Sequence, residues 1–483
     1  MNAPLRRLAA VVVLLFASLF ASTTFIQFFD ANALNNHAGN TRTLYKEYSR
    51  QRGAIVVGRQ EIAQSVPTKD RYKYQRTYAT GPLYAPVSGF YSVVYGETGI
   101  EATQGDLLSG TADQLFYRRL SDLFTGRQPQ GATVELTLDP NLQRIAWDAL
   151  GNQRGAVVAL DPKTGNVLAM VSKPSFDPGR LATHDTKAAT KAWQQLTTDP
   201  DHPMLNRATS ESYPPGSTFK LITAAAALSQ GRLTPDSTIP GPASIQLPQS
   251  TRRLNNDTDE PCGPGDQSTM TQALTESCNT SFALLGGSVG ADALRKQAEA
   301  FGFDSDQLRI PLRVAKSTFP AAPDAAQTAL SSIGQFDVSA TPLQMAMISA
   351  AVANGGVLMK PNLIAKVRSA DLEVIQSPGP TELSRPISSQ VAEQLHTMMR
   401  SVVTSGTGTA AQIDGVDVAG KTGTAQSAPG KPPHAWFTCF ASGNGHDVAV
   451  AVVVEYGGKA GNEAFGGTVA APIARKVMEA VVR

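Results

Sequence analysis

A serine and a lysine at helical spacing, Ser217 and Lys220, are the residues whose types best suit nucleophilic chemistry. The prolines and glycine of 213–216 break the backbone just before them, and the apolar run 221–228 is typical of a helix. Residues at i and i+3 share a helix face, so we expect the Lys220 amine to lie over the Ser217 hydroxyl. A serine becomes nucleophilic when a neighbouring base removes its proton. Ser217 is therefore the candidate nucleophile and Lys220 its candidate base.

A second hydroxyl and an amide side chain occur together in Ser277-Cys278-Asn279. The Ser277 hydroxyl suits a proton relay, and the Asn279 amide suits the binding of a substrate amide. The same pattern recurs in Ser442-Gly443-Asn444, where the surrounding glycines are typical of a hairpin turn. We take Ser277 and Asn279 as the candidate site residues and the later copy as a turn.

A second lysine group, Lys421-Thr422-Gly423-Thr424, lies in a strand-like run. Its rival, Lys163-Thr164-Gly165, follows Asp161-Pro162 in a predicted hairpin turn, where a glycine is expected for conformational reasons. In a strand, a glycine after Lys-Thr allows a ligand backbone to approach closely. The sequence therefore favours Lys421 as the functional copy.

The stretch from Gly415 to Thr422 also matches the phosphate-binding P-loop pattern literally. A P-loop runs from a strand directly into a helix whose N-terminus holds phosphate. Here Gly423 follows at once, and glycine and proline recur through 429–433, so no helix is expected to begin there. A domain outside the cytoplasm also meets little ATP. We therefore reject the interpretation of this stretch as the P-loop of an NTPase.

Composition excludes several function classes. The chain has 483 residues with a formal net charge of +2, and it carries no long basic run, so nucleic acid is not an expected partner. The six histidines show no metal-ligand spacing. We expect no metal and no cofactor.

The N-terminus is typical of a membrane anchor. A short segment with Arg6 and Arg7 precedes a charge-free apolar run over 8–29, and a helix needs roughly 20 residues to cross a bilayer. The flanking arginines predict a cytoplasmic tail at 1–7 and an extracytoplasmic chain from Asp30 onward. The alternative is a signal peptide cleaved at Ala31-Asn32-Ala33, but its apolar region would exceed the usual ~7–15 residues. The sequence therefore predicts one uncleaved transmembrane helix.

A linker-like break over 126–131 divides the remaining chain into a small module at 30–131 and a larger domain at 132–483. In the module, we expect a strand within 52–57, strands and turns over 82–99, and a helix over 107–124. In the domain, the predicted strands lie both before and after a helical middle, at 133–138, 155–160, 166–171, 416–425, 435–441 and 448–456. Early and late strands around helices predict an α+β fold with one antiparallel sheet.

Three cysteines, Cys262, Cys278 and Cys439, lie in the part expected outside the cytoplasm, where disulfides persist. Cys262 and Cys278 are near in sequence within a loop-rich stretch, so we favour a bridge between them. Such a bridge is expected to contribute about 3 kcal/mol by restricting the unfolded chain. Cys439 lies in an apolar strand and is expected to be a buried free thiol.

The order Ser-x-x-Lys, Ser-x-Asn, Lys-Thr-Gly resembles the signature of the penicillin-recognising serine enzymes, which share a serine β-lactamase-like fold. Nearly the whole chain is similar to the class B penicillin-binding proteins, most of all to the short actinobacterial type. Similarity in the domain extends over 155–162, 165, 167–170, 174–178, 334–335, 341–346, 406–410 and 435–437, and in the N-terminal module over Arg52-Gly53-Ala54-Ile55 and Gly99-Ile100-Glu101.

The resemblance implies a D,D-transpeptidase domain whose antiparallel sheet is flanked by helices, behind a dimerisation or pedestal module. It implies that Ser217 attacks the D-Ala-D-Ala bond of a peptidoglycan stem peptide, with Lys220 as base and Ser277 as relay. Asn279 would bind the acyl amide, and the backbone N–H groups of Ser217 and Thr424 would form the oxyanion hole. The substrate carboxylate would be bound by Lys421, Thr422 and Thr424, beside Gly423.

The implied roles include covalent inhibition by β-lactams, cell wall synthesis and a part in cell division or shape. Since no glycosyltransferase domain is expected, the implied partner is a membrane glycan polymerase of the SEDS type. A D,D-carboxypeptidase, a β-lactamase and a β-lactam sensor share the motif set. The β-lactamase is disfavoured because no glutamate after Asn279 has an asparagine four residues later, and about seven residues before the anchor leave no signalling part. Burial and the Lys421 charge are expected to keep the Lys220 amine neutral.

Overall fold

The N-terminal helix is the element expected to span the membrane. The computed structural model describes residues 3–35, 45, 47–126, 130–306, 308–427 and 430–483, so residues 1–2 of the expected tail and 127–129 of the expected linker lie outside the described residues. The helix Ala3–Thr24 continues into a π-helical turn at Phe25–Phe29, with no buried residue. Ala3–Phe29 is long and apolar enough to cross a bilayer, in agreement with the predicted span.

An outer sheet of six strands joins the N-terminal module to the larger domain. In spatial order its strands are Val374–Gln376, Ile364–Arg368, Thr133–Leu136, Ile55–Val57, Gln60–Pro67 and Tyr74–Tyr78. Ile55–Val57 pairs in parallel with Thr133–Leu136 and antiparallel with Gln60–Pro67. The sheet thus takes three strands from each side of residue 131, a pairing that local sequence patterns do not reveal.

Two expectations for the module are wrong. Residues 82–99 hold the helix Gly81–Ser88 and only two short strands, Tyr91–Ser92 and Gly96–Glu97. Pro82 lies in the first turn of that helix, where its missing N–H costs nothing. Most side chains of the helix are buried, and this burial outweighs their strand propensity. The helix expected over 107–124 is interrupted after Ser109, because Gly110 adopts a left-handed conformation with φ 75°. The pieces are Gly105–Ser109, a 3-10 turn at Asp113–Leu115, and Phe116–Thr125.

A buried ion network connects the elements of the module. The Glu101 carboxylate is inaccessible to solvent and accepts hydrogen bonds from Arg52 Nε at 2.6 Å, Arg76 Nε at 2.6 Å and the Tyr78 hydroxyl at 3.1 Å. Arg52 also pairs with the partly exposed Glu97 at 2.8 Å. Two of these residues belong to the segments that resemble the class B module, and the structure shows that they bind each other.

The central sheet of the larger domain has five antiparallel strands. Their order is Asp417–Ala425, His434–Gly443, His446–Val454, Gly155–Leu160 and Val167–Lys173, so the predicted union of late and early strands is confirmed. Successive residues of Gly155–Leu160 enter two different hydrophobic cores, as the alternation of side chains in a strand requires. Pro140–Leu150 and Ala471–Val482 cover one face, and Pro342–Ala353 covers the other.

The described residues form further helices and short strand pairs. The other helices are Ala31–Asn35, Gly99–Thr103, Gly179–Ala182, Thr186–Thr198, Lys220–Ser229, Met270–Thr275, Asn279–Val289, Ala291–Ala300, Ala325–Ser331, Ser389–Thr404 and Gly466–Val469. Short strand pairs lie outside both sheets and consist of Ser244–Gln246 with Arg253–Asn255, Thr238–Pro240 with Gln267–Thr269, and Leu358–Met359 with Glu382–Ser384. The candidate site lies where Lys220–Ser229, Asn279–Val289 and the edge strand Asp417–Ala425 meet.

Candidate active site

Ser217 lies in a tight turn directly before the helix Lys220–Ser229. Gly216–Phe219 is a 3-10 turn, and the α-helix begins at Lys220, so the predicted position at a helix start is confirmed. Gly216 has φ 54°, and a Cβ there would lie 2.7 Å from Thr424 O. A glycine is therefore required for the Ser217 turn to lie against the edge strand. The Ser217 side chain remains 9% exposed at this junction.

The Lys220 amine is fully buried and connects two candidate motifs. Its Nζ donates to Ser277 O at 2.6 Å and to Asn279 Oδ1 at 2.8 Å, and it lies 3.4 Å from Ser277 Oγ. Among the described residues, no hydrogen bond joins this amine to the Ser217 hydroxyl, although helical spacing places the two one turn apart. The amine thus contacts both Ser277 and the Asn279 amide.

Ser277 lies between the two lysines. Its backbone has φ 65°, in the left-handed region that residues other than glycine rarely adopt. It lies between the helices Met270–Thr275 and Asn279–Val289. Lys421 Nζ donates to Ser277 Oγ at 2.8 Å, on the other side from Lys220. Backbone strain of this kind persists where the surrounding structure holds it in place, and it recurs at functional sites. The hydroxyl is placed to pass a proton between the two amines.

Asn279 uses both ends of its side-chain amide. Its Oδ1 accepts from Lys220, while its Nδ2 donates to Asp257 Oδ1 at 2.9 Å and to Asn255 O at 3.2 Å. The favoured disulfide between Cys262 and Cys278 is present, with the two Cα atoms 6.1 Å apart. The bridge ties the loop that contains Asp257 to the residue between Ser277 and Asn279. Cys439 is a buried free thiol, as expected.

The Lys421 group occupies the edge strand of the central sheet. Lys421 is fully buried, and its Nζ also donates to Thr422 O at 3.0 Å. The Thr422 hydroxyl lies 2.6 Å from the hydroxyl of Thr407. Lys421 and Thr422 lie inside the strand Asp417–Ala425, whose chain continues into another strand, so the geometry excludes a P-loop. As an edge strand it has one side without a sheet partner, where an extended ligand backbone can add itself.

Gly423 packs closely against the turn that carries Ser217. A Cβ at this position would lie 2.9 Å from Pro215 O and 2.9 Å from the Thr218 side chain. The close neighbour is therefore the turn that carries Ser217, and the glycine allows that turn to pack on the strand. The two rival motifs lie in turns, at 161–166 and 443–446, at the ends of paired strands.

Burial controls the charge of both lysines. The pKa of the Lys220 amine is held well below its ordinary value by burial and by the neighbouring Lys421 ammonium, against an opposing contribution from Asp257. Burial also lowers the pKa of Lys421 to about 7, again opposed by Asp257. Two buried amines around one hydroxyl cannot both carry a charge cheaply, so this environment favours the uncharged form of Lys220.

Two residues of the site were not identified from the sequence. Asp257 contacts Asn279, and Thr407 contacts Thr422, each across a long sequence separation. Thr407 lies in the segment 406–410, which resembles the family. That resemblance indicated that the segment matters but assigned no role to Thr407. Asp257 carried no signal, because a single acidic residue in a polar loop is ordinary. Among the residues that the structure describes, no group of His, Cys, Asp or Glu side chains is arranged to hold a metal ion.

The chain matches the family described as "Penicillin binding protein transpeptidase domain" over residues 155–479. Residues 52–134 match the family described as "Penicillin binding protein A dimerisation domain". Peptidoglycan D,D-transpeptidase PbpA of Mycolicibacterium smegmatis is 46% identical, with all of this chain and 99% of that protein aligned. PbpA of Mycobacterium tuberculosis strain H37Rv is 44% identical over the same shares.

Solved structures give the same relationship. The ceftriaxone acyl-enzyme complex of penicillin-binding protein A from M. tuberculosis superposes with a TM-score of 0.87 at 44% identity, covering 91% of this chain and 100% of that one. The penicillin G acyl-enzyme complex of the same protein has a TM-score of 0.84 at 44% identity, covering 89% and 99%. Three observations agree on one family: relatives that align over the full length, a family match over more than half of the chain, and a shared fold. The chain belongs to the class B penicillin-binding proteins, a family of transpeptidases.

Proposed function

We propose that the chain is a peptidoglycan D,D-transpeptidase that cross-links stem peptides through an acyl-enzyme on Ser217, with release of D-Ala. One observation carries this proposal: the Ser277 hydroxyl lies between the Lys220 and Lys421 amines, beside the turn that presents Ser217. A nucleophile, a free amine and a relay hydroxyl are the groups that acyl transfer requires. Relatives of 44% identity form acyl-enzymes with ceftriaxone and penicillin G, so we also propose covalent inhibition by β-lactams.

In the acylation step, Ser217 Oγ attacks the carbonyl carbon between the two D-Ala residues. Lys220 accepts the serine proton, and that proton passes through Ser277 Oγ to the leaving amine of the last D-Ala. The backbone N–H groups of Ser217 and Thr424 stabilise the oxyanion, and loss of one such donor typically costs about 2.7–4 kcal/mol. An amine of a neighbouring stem peptide then attacks the acyl carbon and transfers its proton to the same base. The bond to Ser217 Oγ breaks, the base returns the proton to that oxygen, and the cross-link is complete.

Substrate binding falls to the edge strand and to Asn279. Lys421 supplies positive charge for the terminal carboxylate, and the hydroxyls of Thr422 and Thr424 bind it beside Gly423. Asn279 receives the amide of the acyl portion. The open side of the strand Asp417–Ala425 suits an extended peptide, because main-chain hydrogen bonds can form along it.

The proposed location is the cell membrane, with a single span and an extracytoplasmic catalytic domain. The apolar helix Ala3–Phe29 and the arginines before its apolar run support this topology. The proposed partner is a membrane glycan polymerase of the SEDS type, which would supply the glycan strands. The aromatic side chains of Tyr117 and Phe124 on the module are 83% and 82% exposed, and aromatic side chains are enriched in protein interfaces.

The test is intact-mass measurement of the full chain after incubation with penicillin G. We expect one long-lived adduct with the mass of the intact antibiotic on the unmodified chain and none on Ser217→Ala. Ser212→Ala, which removes a nearby hydroxyl outside the proposed machinery, is the control and should be labelled like the unmodified chain. Labelling of Ser217→Ala would contradict the proposed nucleophile. Rapid loss of the adduct would favour a β-lactamase instead.

The two lysines predict a bell-shaped pH dependence of acylation. The second-order rate of acylation by penicillin G should rise from acidic pH as Lys220 loses its proton. It should fall again above about pH 7 as Lys421 loses the charge that binds the carboxylate. Rates measured between about pH 5 and 10 check this. Lys421→Arg, whose side chain stays charged, should lack the alkaline fall; a profile for the unmodified chain that rises to pH 10 would contradict the lowered pKa of Lys220.

A further inference from the structure

Asp257 is a carboxylate that belongs to none of the three motifs, yet it lies at the site. It follows the strand Arg253–Asn255, in a loop that the bridge between Cys262 and Cys278 fastens to the Ser-x-Asn motif. The neighbouring Asn256 strengthens this link, because its Oδ1 accepts from Thr280 N at 3.0 Å. The loop and the motif therefore form one connected unit, and the carboxylate is held in place relative to Asn279.

The Asn279 amide has two distinct ends, and the contacts fix which end points where. Lys220 Nζ donates to Oδ1 at 2.8 Å. Asp257 Oδ1 and Asn255 O can only accept, and both face Nδ2. A reversed amide would place its oxygen against these two acceptors. The carboxylate thus determines the orientation of the amide that meets the substrate.

Asp257 is also the negative group that acts on both buried amines. The Asn279 side chain alone separates the Asp257 carboxylate from the Lys220 amine, and the carboxylate opposes the lowering of the pKa of both Lys220 and Lys421. Burial favours the uncharged form of each lysine, whereas the carboxylate favours the ammonium. Since burial lowers the pKa of Lys421 to about 7, a modest loss of negative charge nearby should change the fraction of Lys421 that is charged at neutral pH.

We propose that Asp257 is a positioning residue of the active site, which orients the Asn279 amide and places a negative charge one side chain away from the Lys220 amine. This inference rests on the proposed function, because it concerns the same acylation reaction. The residue acts through Asn279 and the lysines and takes no proton from Ser217. Its two contributions, a hydrogen bond and a charge, are separable by substitution.

The test compares Asp257→Asn and Asp257→Glu in the full chain, with penicillin G acylation followed across pH. Asp257→Asn retains an acceptor for Asn279 but loses the charge. We expect both limbs of its bell-shaped profile to move to lower pH by about 0.5–1 unit, since the nearby charge favours both ammonium forms. At pH 8 the rate should therefore fall severalfold, and the difference should shrink at high salt. Asp257→Glu should restore the position of the profile.

Glu260→Gln, which removes one exposed negative charge from the same loop, is the matched control and should leave the profile in place. If Asp257→Asn only disturbed the structure of the loop, the acylation rate would fall by the same factor at every pH, and the limbs of the pH profile would stay in place. An Asp257→Asn profile at the position of the unmodified chain would overturn the inference. Failure of the unmodified chain to form any adduct would overturn the proposed function instead, so the two failures are distinguishable.

Discussion

Replacing Lys220 with arginine is expected to slow acylation of Ser217 by penicillin G by about 10²- to 10⁴-fold, the usual contribution of a general base. Arginine stays protonated at any accessible pH, so it can donate hydrogen bonds but cannot accept the serine proton. Lysine can do so here because burial and the Lys421 charge lower the pKa of its amine. The rate of adduct formation, followed by intact mass against time, measures the effect.

The control for this substitution is Lys173→Arg. Lys173 is a third buried lysine, whose Nζ donates to Trp147 O at 2.8 Å and to Gly151 O at 2.6 Å, away from the candidate site. Burial lowers its pKa as well, so the same exchange there reports the general cost of a larger cation in the protein interior. Acylation should remain near normal in Lys173→Arg. Normal acylation in Lys220→Arg would show that Lys220 is not the base.

The parts of the site that the sequence predicted are those carried by short motifs. Ser217 and Lys220 are three residues apart, and a proline-glycine break fixes the start of their helix, so local rules are sufficient. The choice of Lys421 over its rival in a turn likewise depended on strand propensity against turn residues. The central sheet was predicted for a similar reason, because its strands are long, apolar and bounded by turns.

The parts that were missed depend on contacts between distant segments. Asp257 contacts Asn279 because the loop after the strand Arg253–Asn255 folds back onto the start of the helix Asn279–Val289. No spacing rule connects the two residues. The left-handed backbone of Ser277 is set by the structure around it and opposes local preference. In the module, the strand-like composition of 82–99 forms the helix Gly81–Ser88, where tertiary burial decides the outcome. Sequence patterns give the chemistry of the groups, and the fold gives their partners.

Replacing Glu101 with glutamine is expected to destabilise the N-terminal module by about 3–5 kcal/mol, the usual cost of removing one member of a buried ion pair. Its carboxylate is inaccessible to solvent and compensates the guanidinium groups of Arg52 and Arg76, which are themselves 5% and 4% exposed. Glutamine has nearly the same shape and keeps one acceptor, but it removes the carboxylate that pairs with Arg76 and leaves Arg52 with only the partly exposed Glu97. The strands Ile55–Val57 and Tyr74–Tyr78 should lose their protection first, because the two arginines flank or belong to them.

Glu97→Gln is the matched control, because Glu97 pairs with the same Arg52 at 2.8 Å but its side chain is 31% exposed. Burial raises the pKa of Glu97 to about 7, so it is already partly uncharged near neutral pH and its replacement should cost less than about 1 kcal/mol. Hydrogen exchange of the module strands in the full chain separates this effect from unfolding of the catalytic domain. Acylation of Ser217 should persist in both variants at low temperature, since the central sheet does not include these residues. Equal loss of protection in the two variants would show that burial of Glu101 does not make its charge essential.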